Sequence, residues 1–244
     1  HLKRKPAPKF WPIHRKEAIW TVKPKPGPHP LSLCIPLTLV VRDILKLAKT
    51  RKEVKTIISQ GKIKVNGKVQ REESFPIGLM DVISIPEIEK TYRILPSEKG
   101  LFLHSIGADE SKSRLCRIED KTVVRGGHIQ LNLHDETNML IRVGNPTKPE
   151  EDVYQTFDTL KLSIPDQKVT GHMKLTVGAP AIIIGGKNVG KYGKITAIEE
   201  KPSRKRRDLL VTIQSKNGNS FQTTLNFIFV LGETEPSISL PEVD

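Results

Sequence analysis

The sequence predicts a multidomain, mainly β protein. A small α+β module of two helices plus a hairpin comes first, then a central antiparallel β domain, then a small barrel. Three observations predict this. Apolar residues recur at helical spacing between Leu37 and Ile58, and the pattern then switches to strand-like runs around Asn66-Gly67. His128 to His134 alternates strictly between polar and apolar residues. From Met173 onward, short apolar runs follow one another at close intervals, separated by glycine- and lysine-rich turns.

The 244 residues leave room for two or three domains of modest size. Hydrophobic residues make up 36% and aromatics 5%, so the cores should be small and aliphatic. Lys and Arg number 40 against 27 Asp and Glu, a formal charge of +13 that favours a polyanionic partner. Cys34 and Cys116 lie far apart with no CxxC, which excludes a cysteine-rich zinc finger or a dense disulfide scaffold. Both are expected to be buried thiols in a reducing compartment. No apolar run is long enough to cross a bilayer, and the start is charged rather than signal-like, so a cytoplasmic protein is expected. The chain opens at His1 rather than Met, so upstream residues are expected to have been cleaved or to lie outside this sequence.

Residues 1–33 read as a basic, proline-rich N-terminal extension. Lys3, Arg4, Lys5, Lys9, Arg15, Lys16, Lys23 and Lys25 face a single acid, Glu17, and seven prolines between Pro6 and Pro30 forbid a long helix. Trp11 and Trp20, the only tryptophans in the chain, both lie here. They either anchor the segment on the protein's own surface or stack on a partner such as RNA, and Lys3, Arg4, Lys5, Lys9, Trp11, Arg15, Lys16 and Trp20 are candidate RNA contacts. The extension is expected to be unordered until RNA arrives.

Residues 34–90 form the helix-pair and hairpin domain. Leu37, Val40, Val41, Ile44, Leu45 and Ala48 predict one helix; Val54, Ile57 and Ile58 predict a second, after a break at Thr50 and ending at Gly61. Ile63, Val65, Asn66-Gly67 and Val69 predict two strands about a type I′ turn, and Gly78 to Ile85 a closing strand. Arg42, Lys46, Lys49, Arg51, Lys52, Lys55, Lys62, Lys64, Lys68 and Arg71 surround this pattern with few acids between them, which predicts one joint basic face.

Residues 91–171 form the central β domain. Ile129, Leu131 and Leu133 point to one side of a half-buried strand, and Met139–Val143 and Thr159–Ile164 read as further strands. Residues 172–236 form the barrel, with strands at 173–177, 181–184, 194–199, 209–214, 220–224 and 227–231. Its loop from Lys201 carries Arg204, Lys205, Arg206 and Arg207, the densest cationic patch in the chain and a candidate phosphate clamp. Residues 237–244 form an extended tail.

Two constellations invite a chemical reading. Gly185-Gly186-Lys187-Asn188-Val189-Gly190-Lys191 nearly matches a phosphate-binding loop, but Tyr192 stands where Ser or Thr must hold magnesium, and no helix follows. The glycines are better explained as tight turns. His128 and His134 share a strand face beside Asp135 and Glu136, but six residues of strand hold them about 20 Å apart, too far to share a metal ion. His128, directly after Arg125-Gly126-Gly127, is instead a candidate RNA contact along with Arg125. No metal, cofactor or catalytic arrangement is expected.

Four stretches carry a family resemblance: HLKRKPAPKFWPIHRK at the start; the helix pair and hairpin with Val65-Asn66-Gly67 and Asp81-Val82-Ile83; VRGGHIQLNLHDETNMLIRVGNP from Val124 to Pro146; and GGKNVGKYGKI with the later FQTTLNFIFVLG. In this order, and over essentially the whole chain, they resemble the archaeal and eukaryotic "e" type of small-subunit ribosomal protein four. The resemblance implies that the helix-pair module binds RNA, and that the barrel is SH3-like and carries a KOW motif. It implies a non-catalytic component of the small ribosomal subunit bound to its rRNA and to neighbouring subunit proteins, with no membrane, no small-molecule substrate and no homo-oligomer. It suggests phosphate contacts at Arg42, Lys46, Arg51, Lys52 and Lys55, at Lys62, Lys64 and Lys68, and at Lys187, Lys191 and Lys194. The short segment after the barrel is similar to that of archaeal members. Two alternatives use the same modules: a KOW-bearing regulator of transcription or translation, and an RNA-modifying enzyme. The enzyme needs a catalytic domain that the central sheet and barrel leave no room for.

Overall fold

Helical stripe, hairpin and proline-rich extension fall in one unit of the computed structural model; most of the central sheet and the five-stranded sheet after Gly178 fall in a second. The structure describes residues 1–145, 150–199 and 205–241. The first unit takes in His1–Leu95, Lys99–Arg114 and Ile164–Asp166. The second takes in Pro96–Glu98, Leu115–Ser163 and the described residues from Gln167 on. Among the described residues no helix is long and apolar enough to cross a membrane.

In the first unit the extension packs on the module's apolar core. Strand β1 (Leu2–Lys3) pairs antiparallel with β2 (Trp20–Thr21). Between them Ala7 and Trp11 enter the apolar core, where Trp11 is 3% exposed. The Trp11 indole N–H donates to the Cys34 carbonyl at 2.7 Å. Two apolar anchors and one buried hydrogen bond offset the cost of ordering a segment that proline has already stiffened. Burial pushes the Cys34 thiol up to about 12, so it stays protonated; Cys34 and Cys116 are both buried, and neither forms a disulfide.

Strand β3 (Ile35–Pro36) leads into the first helical stripe, which is not the single helix expected. Helix α1 (Leu37–Leu39) opens at once into a π-helical turn over Val40–Ile44, closed by the Leu45 amide on the Val40 carbonyl at 2.9 Å. Leu37, Thr38, Leu39, Val40 and Val41 are all fully buried. A chain buried on every side gains nothing from a one-sided helix, so the wider turn prevails. Helix α2 (Arg51–Ser59) forms as expected. A reciprocal capping box between Thr50 and Glu53 starts it, and Val54 and Ile58 fill its inner face.

The hairpin follows as β4 (Lys64–Val65) and β5 (Lys68–Val69). Asn66 and Gly67 have φ of 49° and 76°, the two positive values this turn needs. Strand β6 (Pro76–Ile77) returns to pair with β3. The closing strand, expected from Gly78, begins only at β7 (Val82–Ile85), because Gly78–Asp81 turns around the Asp81 side chain. The module's sheet also runs past residue 90: β8 (Lys90–Ser97) and β9 (Gly100–Ser105) complete the order β5-β4-β7-β8-β9.

The second unit holds two sheets. The first joins β10 (Ser113–Val123, its first two residues in the other unit), β11 (Ile129–Leu133), β12 (Asn138–Ile141), β13 (Thr159–Ser163) and β14 (Val169–Met173) in the order β12-β11-β10-β13-β14. Ile129, Leu131 and Leu133 pack inward with Cys116, Ile118, Leu160 and Leu162. The strand expected over 173–177 is instead β14, ending at Met173 in this sheet. Buried Asp158 takes the Leu175 amide at 3.0 Å and faces His172 Nε2 at 2.7 Å, which bends the chain away from strand geometry.

The second sheet joins β15 (Pro180–Ile183), β16 (Tyr192–Ile198), β17 (Leu210–Gln214), β18 (Ser220–Thr224) and β19 (Ile228–Val230), all antiparallel, in the order β18-β17-β16-β15-β19. A register shift in β16 between Ile195 and Ala197 helps curl it. Among the described residues no ladder joins the β18 and β19 edges. The fold is therefore mainly β, with a small α+β module and curled sheets.

Candidate nucleic-acid interface

In the first unit, α2 projects Lys52 and Lys55 into solvent from the face opposite Val54 and Ile58. Lys68 is exposed on the hairpin and Lys64 half-buried beside it; Lys46 is exposed at the end of the π-helical segment. Several other sequence candidates are already paired. Arg42 forms a bidentate pair with Asp43, both bonds at 3.0 Å. Arg51 is held by Glu73 at 2.7 Å, which raises its pKa. Lys62 lies 3.2 Å from Glu87. The Lys62–Glu87 pair is exposed and weak, so a phosphate can replace its carboxylate; Arg42–Asp43 and Arg51–Glu73 are more shielded, with Glu73 13% exposed.

In the N-terminal extension Lys3, Lys5, Lys9 and Lys16 are exposed, but two arginines turn inward. Arg15 donates to the carbonyls of Arg4, Ala7 and Pro8 at 2.5–2.8 Å. Arg4 donates to the His14 carbonyl at 2.7 Å and pairs with Glu17 at 3.0 Å. Both hold the extension's own shape, which corrects their reading as phosphate contacts. Trp11 is corrected likewise, since its indole is buried. Trp20 is 53% exposed, with Lys3 Nζ 5.8 Å from its centroid and the His1 ring 5.5 Å away.

In the second unit Arg125 is exposed on the turn before β11, while Nδ1 of His128 accepts the Val143 amide at 3.1 Å. Lys187 and Lys194 are exposed; Lys191 lies over the Phe221 ring at 4.4 Å. Lys205, Arg206 and Arg207 are exposed on a short turn, with Arg206 reaching Gln155 and Arg207 the Glu119 carbonyl, each at 3.3 Å. Lys201 and Arg204 lie outside the described residues. Composition also misleads in one respect: Arg93, Arg114 and Arg117 are interior groups and add nothing to a surface field.

Sequence reasoning missed the group that organises the first unit. Asp81 is 1% exposed and carries a carboxylate flanked by His29 Nε2 at 2.9 Å, the Gly78 amide at 2.9 Å and the Asn66 amide at 2.7 Å. Burial alone would push its carboxyl up; the His29 charge and these hydrogen bonds outweigh it and hold the pKa below the usual range. His29 sits among prolines with no periodicity to mark it. The folded pKa is depressed, so the stability Asp81 contributes is complete above the unfolded value of about 3.9 and is lost as pH falls through the lower folded value. Acid titration followed by tryptophan fluorescence is expected to report Trp11 exposure only below that range. A Trp11 transition centred above pH 5 would contradict this.

No arrangement for catalysis emerges from the described residues. The glycine-rich stretch before Tyr192 runs directly into β16 rather than into a helix. Cys116, His134 and Asp135 place three ligating atoms within 4.8 Å of one another. However, Nδ1 of His134 accepts the Arg117 amide at 3.2 Å, so the imidazole proton sits on Nε2 and that nitrogen is a donor, not a ligand. Asp135 in turn accepts the Thr137 amide and hydroxyl, shaping the turn into β12. A 590 Å³ cleft along β15 to β17 has walls that include Tyr192, Lys194, Lys216 and Glu235 and, among the described residues, no His, Cys or Asp.

Comparison with known proteins covers this architecture end to end. Residues 1–32 match the RS4NT domain, residues 39–83 the S4 domain, and residues 88–169 the ribosomal family S4e. Small ribosomal subunit protein eS4 of Staphylothermus marinus is 51% identical over 243 residues, 99% of this chain and 96% of that protein. Its counterpart in Methanocaldococcus jannaschii is 47% identical over 98% of this chain and 97% of its own length. The crystal structure of 30S ribosomal protein S4e from Thermoplasma acidophilum superposes with a TM-score of 0.68 at 28% identity, over 83% of this chain and 96% of that one.

Proposed function

The chain belongs to the ribosomal S4e family, and we infer from that membership that it is a non-catalytic structural protein of the small ribosomal subunit, in the cytoplasm, which binds and stabilises folded small-subunit rRNA beside other ribosomal proteins. The observation that carries the reading is the end-to-end match to proteins named as subunit components. The exposure of Lys52, Lys55 and Lys68, with few acids between them in the sequence, supports a basic face that holds rRNA. Such contacts position a protein on folded RNA by shape and phosphate rather than by base sequence.

The finer reading extends this. Residues 172–236 are an SH3-like barrel whose KOW motif spans Gly185 to Ile195, supported by the curled five-stranded sheet. The extension over 1–33, the module from residue 34 through β9, the central sheet β10 to β14 and the barrel each contribute RNA contacts. Lys3, Lys5, Lys9, Lys16, Lys46, Lys64, Arg125, Lys187, Lys191, Lys194, Lys205, Arg206 and Arg207 supply further phosphate contacts, together with Arg42, Arg51 and Lys62 once their carboxylates are displaced; Trp20 is the stacking group. The protein acts as a single copy, without membrane or small-molecule ligand.

Sedimentation of lysate through a high-salt sucrose gradient tests the assignment. Stoichiometric migration with the small subunit is expected; release to the light fractions would favour a regulator. Affinity for in vitro transcribed small-subunit rRNA should fall linearly on a log–log plot against salt, and removing one phosphate-contacting lysine such as Lys55 should reduce the slope by about one. Trp20→Ala should weaken binding by about 1–3 kcal/mol and leave the unfolding midpoint nearly unchanged. Unaltered affinity would remove Trp20 from the interface.

A further inference from the structure

Segments far apart in the sequence converge on one buried carboxylate. Oδ2 of Asp81 faces His29 Nε2 and accepts the Gly78 amide; Oδ1 accepts the Asn66 side-chain amide and lies 4.0 Å from Arg114 Nη1. His29 is 6% exposed and belongs to the proline-rich N-terminal extension. Asn66 is the first residue of the hairpin turn, between Lys64 and Lys68. Its own side-chain oxygen accepts the Val82 amide at 2.9 Å, and its backbone amide donates to the Val82 carbonyl at 2.8 Å.

The fit is close. A Cβ on Gly78 would lie 2.3–2.5 Å from three atoms of the His29 ring, so only glycine lets the imidazole reach the carboxylate. Nearby, Lys25 pairs with Glu72 and its amide donates to the Ser74 carbonyl at 3.0 Å. These outer contacts are exposed and weak. The His29–Asp81 contact is buried, and without His29 the nearest charge to Asp81 is Arg114 at 4.0 Å, beyond hydrogen-bond reach.

We propose that Asp81 is a positioning residue that couples the N-terminal extension to the basic hairpin, with His29 as the latch, so that the two present their RNA-facing groups as one pre-organised surface. The RNA consequence rests on the function proposed above; the coupling does not. Removing His29 leaves Asp81 buried with fewer donors, and the carboxylate re-settles toward Arg114 or admits water, each at the expense of the Asn66 bond to Oδ1. Either response loosens the turn that spaces Lys64 from Lys68. Coupling of this kind is reciprocal, so loosening the turn must also loosen the extension. Pre-organisation in turn lowers the ordering cost of binding.

Amide exchange on the free, full-length protein tests the coupling directly. His29→Ala should speed exchange across residues 1–33 and also at Gly67 and Lys68. Asn66→Ala should speed exchange in the extension, tens of residues away. His29→Gln keeps an amide donor within similar reach of Asp81 and should restore much of the protection. Gly78→Ala keeps every partner but displaces the ring, and should reproduce His29→Ala. For in vitro transcribed small-subunit rRNA, each single alanine variant should weaken binding on the order of 10-fold, and the double variant should lose clearly less than the product of the two. Faster exchange confined to the mutated segment, no rescue by glutamine, or multiplicative losses in the double variant would overturn the proposal. If the wild-type chain fails to bind the transcript, the proposed function falls and exchange alone decides the coupling.

Discussion

Replacing Arg117 with methionine is expected to destabilise the second unit by about 3–5 kcal/mol, the range for breaking a buried charge network from one side. Arg117 lies in β10 with its side chain 5% exposed. Nε and Nη2 pair with Glu119 at 2.8 and 2.5 Å, and Nη1 donates to the carbonyls of Asn226 and Ile228 at 2.9 and 2.6 Å. The guanidinium also lies 5.5 Å from the Phe157 ring centroid. One planar group thus ties β10, in one sheet of the unit, to β19, in the other. Burial pushes its pKa down and Glu119 pushes it back up; an arginine retains its proton throughout. Methionine matches the stem but leaves Glu119 and two carbonyls without their donor. Glu119 is 28% exposed and recovers part of the loss from water, which places the expected effect toward the lower end. Lysine, a point charge without the fork, should restore the charge but not both carbonyl contacts. Denaturant unfolding with amide exchange at β10 and β19 is the measurement. A loss below about 1 kcal/mol for methionine would mean that water, not Arg117, satisfies these groups.

The features legible in the sequence are local ones. Thr50 and Glu53 cap α2 within a single turn, Asn66-Gly67 sets its hairpin within four residues, and Ile129, Leu131 and Leu133 alternate within one strand. The features that escaped depend on distant partners. Residues 37–41 carry the apolar spacing of a helix, but burial on every side replaces that helix with a π-helical turn. β8 and β9 extend the module's sheet past residue 90, where the apolar alternation is too weak to mark two further strands of the same sheet. Ala7, Trp11 and His29 dock the extension at irregular intervals among prolines and lysines, so composition suggests a solvated tail. The candidate interface divides the same way. Lys52 and Lys55 can be placed outward because Val54 and Ile58 fix the inner face of α2. Arg4 and Arg15 cannot, because their acceptors are carbonyls of an irregular loop.

Gly193→Ala is expected to have a comparable effect for a purely steric reason. Gly193 lies in β16 opposite Ala181, in the run Gly190-Lys191-Tyr192-Gly193-Lys194-Ile195 that dominates the sequence. A Cβ there would sit 2.1 Å from the Gln214 carbonyl oxygen and 2.9 Å from the Ser215 Cα. Both are backbone atoms and cannot rotate aside, so the end of β17 must move and the Lys194–Gln214 pairing opens. Overpacking against side chains costs about 1–3 kcal/mol, and a clash with the backbone of a paired strand belongs at or above the top of that range. The substitution also separates two explanations for glycine at this position. A glycine kept for close approach to a phosphate would lose ligand affinity on substitution while stability held. A glycine kept for close approach of β17 loses stability first, and any loss of rRNA affinity follows from the displaced strand rather than preceding it. A lowered unfolding midpoint with faster exchange in β17 is the expected result. An unchanged midpoint with weakened rRNA binding would assign the glycine to the RNA instead.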